Sequence, residues 1–62
     1  MKSFVLITGA TSGIGLEFAK IYAKKKENLI LAARREEELK KIKEELEKYQ
    51  IEVKTHRADL SK

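Results

Sequence analysis

Apolar positions along the chain follow two different spacings. Ser3-Phe4-Val5-Leu6-Ile7-Thr8 is a short apolar run stopped by Gly9, the pattern of a buried strand. From Ile14 to about Lys25, the residues Ile14, Phe18, Ile21 and Tyr22 recur at i, i+4, i+7 and i+8. That spacing predicts an amphipathic helix with this stripe turned to the core. Lys24-Lys25-Lys26 then puts positive charge where the helix dipole is negative. Asn28-Leu29-Ile30-Leu31-Ala32-Ala33 is a second apolar run of strand length. Leu39, Ile42, Leu46 and Tyr49 mark a second amphipathic helix from about Glu36 to Tyr49. Ile51, Val53 and Thr55 alternate with polar residues, which predicts a third strand over Ile51–His56, at a sheet edge. The order is strand, helix, strand, helix, strand. Strands separated by helices imply parallel pairing with right-handed crossovers, and so an α/β fold with a three-stranded parallel sheet.

Size narrows this further. A chain of 62 residues buries only about 60% of its unfolded surface, so residues 1–62 are expected to form one unit with one small core. The absence of cysteine removes any disulfide framework and any thiolate metal site, and no metal is expected. The longest apolar run, Leu29–Ala33, is far short of the roughly 20 residues that span a bilayer. Neither a membrane segment nor a signal peptide is expected, and the chain reads as cytoplasmic.

Charge changes the picture less than its sum suggests. Fourteen Lys and Arg against ten Asp and Glu leave a net +4. Within Arg34–Lys48, however, six basic residues meet six acidic ones, and the remaining lysines are scattered. Nucleic-acid binders concentrate basic residues on one face beside aromatic or Arg readout groups, a pattern that is weak in this chain. No nucleic-acid partner is expected. In the second helix, Glu36/Lys40, Glu37/Lys41 and Glu44/Lys48 each set a glutamate four residues before a lysine, which reads as a solvated face.

Candidate chemistry gathers in Thr8-Gly9-Ala10-Thr11-Ser12-Gly13-Ile14-Gly15, at the junction of first strand and first helix. A helix N-terminus offers unpaired N–H donors and the positive end of a dipole, which suits a diphosphate. Glycines permit positive φ and let a ligand approach the backbone. Ser12 is placed to cap the helix, and Gly13 and Gly15 to let it pack closely on the strand.

The spacing Thr8-Gly9-x-x-x-Gly13-Ile14-Gly15 after an opening strand resembles the short-chain dehydrogenase/reductase family. Ala33-Arg34-Arg35 at the end of the second strand and Asp59-Leu60 after the third match two further segments of that family. The resemblance implies a Rossmann-type β-α-β-α-β arrangement. It also implies a cofactor site formed by Gly9, Thr11, Ser12, Gly13, Ile14 and Gly15 at the pyrophosphate, Arg34 and Arg35 at the ribose, and Asp59 and Leu60 at the adenine. An acidic residue at the end of the second strand would bind a free ribose 2′-OH and repel a 2′-phosphate. Ala33 stands there instead, followed by Arg34, whose guanidinium can fork onto phosphate oxygens. NADP is therefore expected ahead of NAD, with Arg35 as a second contact.

The resemblance covers essentially all 62 residues and only the first part of the family's fold. It implies a truncated chain, the adenosine-binding part of an oxidoreductase, without the serine, tyrosine and lysine that later elements supply. No catalytic residue is expected here. Tyr22-x-x-x-Lys26 has the family's catalytic spacing, but on the wrong helix and with its tyrosine in the apolar stripe. His56 reads as structural or exposed, and Tyr22 and Tyr49, on the apolar faces of their helices, read as core packing. Relatives place glycine where the first helix ends; Lys26 there costs about 1 kcal/mol unless Asn28 takes the left-handed position. With both helices on one sheet face, the other face and the first strand's edge stay open, so a homo-oligomer is expected. A non-catalytic phosphate-binding module and a self-assembling structural unit stay open as alternatives.

Overall fold

A computed structural model describes residues 3–57. Three strands form one parallel sheet in the order β1-β2-β3: β1 Phe4–Thr8, β2 Asn28–Ala33 and β3 Val53–Arg57. Phe4 pairs with Asn28 and Thr8 with Ala32, while Leu29 pairs with Val53 and Ala33 with Arg57. Helix α1, Gly13–Lys24, connects β1 to β2; helix α2, Glu36–Leu46, connects β2 to β3. This is the expected β-α-β-α-β arrangement with three parallel strands.

Period-2 alternation sorts the strands into two faces. Leu29, Leu31 and Ala33 of β2, Ile7 of β1 and Val53 of β3 share one core with Ala19 and Ala23 of α1 and Leu39 and Leu46 of α2. Both helices therefore lie on the same side of the sheet. No described element covers the opposite face, and Leu6 on it is 61% exposed.

The helices meet the sheet differently from each other. Helix α2 follows its pattern: Leu39 and Leu46 are buried, and Ile42 and Tyr49 pack against the core. Helix α1 reverses its pattern. The expected core stripe is on the surface, with Ile14 75%, Phe18 51% and Ile21 47% exposed. Of that stripe only Tyr22 packs against the core, and the buried face is Gly15, Ala19 and Ala23. Small residues let the helix axis come close to β1 and β2, and that closeness turns the bulky residues outward.

Helix ends differ from expectation in instructive ways. The second helix closes at Leu46, and Glu47–Tyr49 tighten into a 3₁₀ turn ended by Gln50 at φ 65°. Residues 51 and 52 precede the ladder of β3, although the N–H of Glu52 donates to Asn28 Oδ1. At the end of α1, Lys26 itself adopts the left-handed conformation, φ 66°, and Asn28 lies in β2. The Lys26 N–H donates to the Ala23 carbonyl and the Glu27 N–H to the Tyr22 carbonyl, a Schellman closure. Lys26 Nζ also donates to the Tyr49 carbonyl at 2.7 Å, which ties the strained turn to the 3₁₀ segment. None of the three expected Glu–Lys pairs forms in α2; the ion pairs there are Arg35–Glu38 at 3.1 Å and Lys43–Glu47 at 3.9 Å.

Candidate functional site

The turn between β1 and α1 is held by a few specific bonds. The N–H of Ala10 donates to the Ala32 carbonyl at 3.2 Å, carrying the contact between the first two strands past Thr8. Gly9 then turns with φ 62°, a value that costs any residue with a Cβ about 1–2 kcal/mol. The Ser12 N–H and hydroxyl both donate to the Gly9 carbonyl, at 2.9 and 2.7 Å. The same hydroxyl accepts from the Gly15 N–H at 3.2 Å, so Ser12 is the N-cap of α1 as its position predicts.

The three glycines serve different ends. A Cβ on Gly15 would stand 2.1 Å from the Gly9 carbonyl oxygen, so only glycine lets the first turn of α1 rest on the preceding loop. A Cβ on Gly13 would meet nothing within 4 Å. The expectation that Gly13 serves close packing is therefore corrected: its side faces open space at the mouth of the turn.

Four loop and helix amides can be traced. Those of Ala10, Ser12 and Gly15 are engaged as above. The Leu16 N–H takes the Ser12 carbonyl. The N–H groups of Thr11, Gly13 and Ile14 have no partner among the described residues. Gly13 and Ile14 are the first two residues of α1, where the donors are unpaired and the helix dipole is positive. An anion is the natural complement of that arrangement.

Beside the turn lies a pocket of about 760 Å³ at the carboxyl ends of the strands. It is lined by Thr8, Gly9, Thr11 and Ser12 on one side and by Ala33, Arg34, Arg35 and Glu38 on the other. Its floor is the uncovered sheet face, where Thr8, Ala32 and His56 sit side by side in register, with Leu6 below. The two arginines differ. Arg35 Nη1 donates to Glu38 Oε2 at 3.1 Å, whereas Arg34 is exposed with no partner among the described residues. Glu36, Glu37 and Glu38 in the first turn of α2 offset the positive charge that precedes it, so that helix start is electrostatically satisfied without a ligand. Arg34 is the cation left available at the pocket.

The pocket thus gathers Gly9, Thr11, Ser12, Arg34 and Arg35 of the predicted site, with Gly13, Ile14 and Gly15 at the adjoining helix start. Asp59 and Leu60 lie outside the described residues. Ala32 and Glu38 also line it without a motif that points to them, and so does His56, which the sequence reads as structural or exposed. The signal for Ala32 and His56 was present: their alternation puts both on the uncovered face, level with Thr8. Tyr22 and Tyr49 pack against the core, and Lys26 spends its amine on the Tyr49 carbonyl, so the Tyr22-x-x-x-Lys26 spacing does not form a reactive pair.

This combination of a parallel sheet, a glycine turn into α1 and an arginine after β2 defines a dinucleotide-type α/β unit. The chain belongs to the short-chain dehydrogenase family, whose model matches residues 3–62. It is 44% identical over 57 residues to a 7beta-hydroxysteroid dehydrogenase of Mediterraneibacter gnavus, covering 90% of this chain and 22% of that protein. It is 58% identical over 40 residues to an 11-beta-hydroxysteroid dehydrogenase of Pinus massoniana, covering 64% of this chain and 11% of that one. Among solved structures, an alcohol dehydrogenase from Thermococcus sibiricus complexed with 5-hydroxy-NADP superposes with a TM-score of 0.91 at 38% identity, covering 100% of this chain and 27% of that one. A short-chain dehydrogenase from Sphingobium yanoikuyae in complex with NADPH superposes with a TM-score of 0.91 at 37% identity, over 95% of this chain and 23% of that one. The 62 residues span about a quarter or less of the relatives they match. Among the described residues, no helix is long and apolar enough to cross a membrane.

Proposed function

We propose that this unit is the adenosine-and-diphosphate half-site of an NADP-dependent oxidoreductase. One observation carries the reading: the N–H groups of Gly13 and Ile14 stand without partners among the described residues, at a helix start where Gly13 leaves the space in front open. In this reading they hold the pyrophosphate, with Gly9 and Thr11 beside it. Ser12 shapes the turn, since its hydroxyl is already spent on Gly9 and Gly15. Gly15 brings α1 close enough for its first amides to face the pocket.

Arg34 takes the 2′-phosphate and confers preference for NADP over NAD, because it lines the pocket and has no protein partner among the described residues. Arg35, held by Glu38, contributes less. Asp59 and Leu60 complete the adenine side. The bound cofactor would supply hydride chemistry, and these residues bind and orient it. None of them acts on a substrate. The 5-hydroxy-NADP and NADPH bound in the two solved neighbours support this assignment. The cysteine-free composition fits a cytoplasmic setting. The uncovered sheet face and the open β1 edge support self-association of the chain.

Titration calorimetry with NADP, NAD and adenosine 2′,5′-bisphosphate tests the cofactor reading. NADP and the bisphosphate are expected to bind more tightly than NAD. Arg34→Glu should remove that preference, a loss of about tenfold or more for a charge-assisted contact. Gly13→Val should abolish binding while the fold is retained, since its Cβ meets no protein atom. Equal binding of NAD and NADP would overturn the 2′-phosphate role of Arg34, and no binding of any of the three would overturn the half-site.

A further inference from the structure

The rotation of helix α2 is fixed by its buried stripe. Leu39 and Leu46, two helical turns apart, are both fully buried against the sheet. Glu38, one residue before Leu39, then stands on the flank turned to the pocket, which it lines with Arg34 and Arg35. Of the three glutamates in the first turn, Glu38 is the one that reaches the pocket. Glu36, two residues earlier, is rotated about 200° from it around the helix axis. Glu36 and Glu37 already set negative charge at the positive helix end, so the dipole alone does not account for Glu38. Its carboxylate accepts from Arg35 Nη1 at 3.1 Å instead.

We propose that Glu38 limits the preference for NADP: it holds Arg35 off the 2′-phosphate and presents its own negative charge to that group. The proposal rests on the half-site reading above and gives Arg35 and Glu38 a coupled role within it. A carboxylate at the end of the second strand discriminates against a 2′-phosphate by repulsion. Ala33 removes that carboxylate from the strand, and Glu38 brings one to the same pocket from the helix side. Its effect is partial because the charge is shared with a guanidinium. Arg34 draws the phosphate in, while the Arg35–Glu38 pair, whose charges sum to zero, adds no net attraction.

The pair is weak enough to change partners. The Arg35 side chain is 76% exposed and that of Glu38 43%, so water and salt screen the contact. Such a surface pair contributes little to folding, and without it the helix start keeps Glu36 and Glu37. A phosphate dianion offers a guanidinium more charge and more acceptor oxygens than one carboxylate does. Arg35 released from Glu38 can therefore add a second charge-assisted contact to the one that Arg34 makes. Arg34, Arg35 and Glu38 all belong to the junction of β2 and α2, so the coupling is local to that turn of chain.

Calorimetric titration of parent and variant chains with NADP, NAD and adenosine 2′,5′-bisphosphate tests this. Glu38→Gln is expected to tighten NADP and the bisphosphate about fivefold, the order for one exposed charge-assisted contact. NAD, which lacks the 2′-phosphate, should change by less than about twofold. The gain should shrink as salt is raised, since the charges involved are at the surface. Glu36→Gln makes the same charge change on the far flank and should leave the NADP-to-NAD ratio within about twofold. Adding Arg35→Ala to Glu38→Gln should cancel most of the gain. Circular dichroism like that of the parent protein confirms that each variant is folded. A gain that survives in full without Arg35, or that Glu36→Gln reproduces, would overturn the role of the pair. Weaker NAD binding with NADP unchanged would also overturn it, by making Glu38 a ligand of the ribose hydroxyl. A parent chain that prefers NADP but does not respond to Glu38→Gln would sink this inference and leave the half-site reading standing. No binding of any of the three would remove both.

Discussion

The two helices are built on opposite plans. Helix α2 buries large residues, Leu39 and Leu46, and turns charge outward. Helix α1 buries Gly15, Ala19 and Ala23 and turns Ile14, Phe18 and Ile21 outward. The first plan supplies the hydrophobic area that a small core needs. The second sacrifices some of that area for close approach: α1 sits low enough on the sheet for its N-terminal amides to face the glycine turn. The difference shows how labour is divided between the two crossover helices. The α2 half supplies stability, and the α1 half supplies a site and an uncovered surface.

Substitutions can break that contrast or sharpen it. The largest effect is expected at Gly15→Val, where the added atoms run into the Gly9 carbonyl. Backbone, not a flexible side chain, is in the way, so the cost should reach about 3 kcal/mol or more and remove the cooperative unfolding transition in urea. Next comes Leu46→Ala in α2, at about 2–5 kcal/mol for a fully buried leucine. The matched change in α1, Phe18→Ala, should cost the isolated protomer under about 0.5 kcal/mol, because that side chain is half exposed. Equal losses at Leu46 and Phe18, measured by denaturation at dilution, would erase the distinction between the helices. The smallest effect is expected at Lys26→Gly. Relief of the left-handed strain, about 1 kcal/mol, is partly cancelled by losing the bond from Lys26 Nζ to Tyr49. The net shift should be stabilising by a few tenths of a kcal/mol, read as a small rise in the urea midpoint.

Much of the site was legible from spacing because its demands are local. Gly9 needs positive φ, Ser12 caps the next helix, and Gly15 follows three residues later, all within one turn of chain. The inequality of Arg34 and Arg35 was not legible, since it depends on Glu38 reaching back from α2. Nor was the role of Gly13, which is defined by what is absent in front of it. Lys26 shows the same limit at a helix end: the sequence marks it as a poor residue for a left-handed turn, and only the fold supplies the anchor on the 3₁₀ segment, 23 positions away, that offsets part of that cost.

Local rules, read from residue order alone, settled the alternation of strands and helices, the parallel sheet and the glycine turn, because backbone geometry and short-range periodicity act between neighbours in the chain. Tertiary structure decided which face of α1 is buried. Both Ile14-Phe18-Ile21 and Gly15-Ala19-Ala23 are helical stripes, and periodicity measures hydrophobicity without measuring the room available. On this sheet the narrow stripe fits, and the wide one is left at the surface.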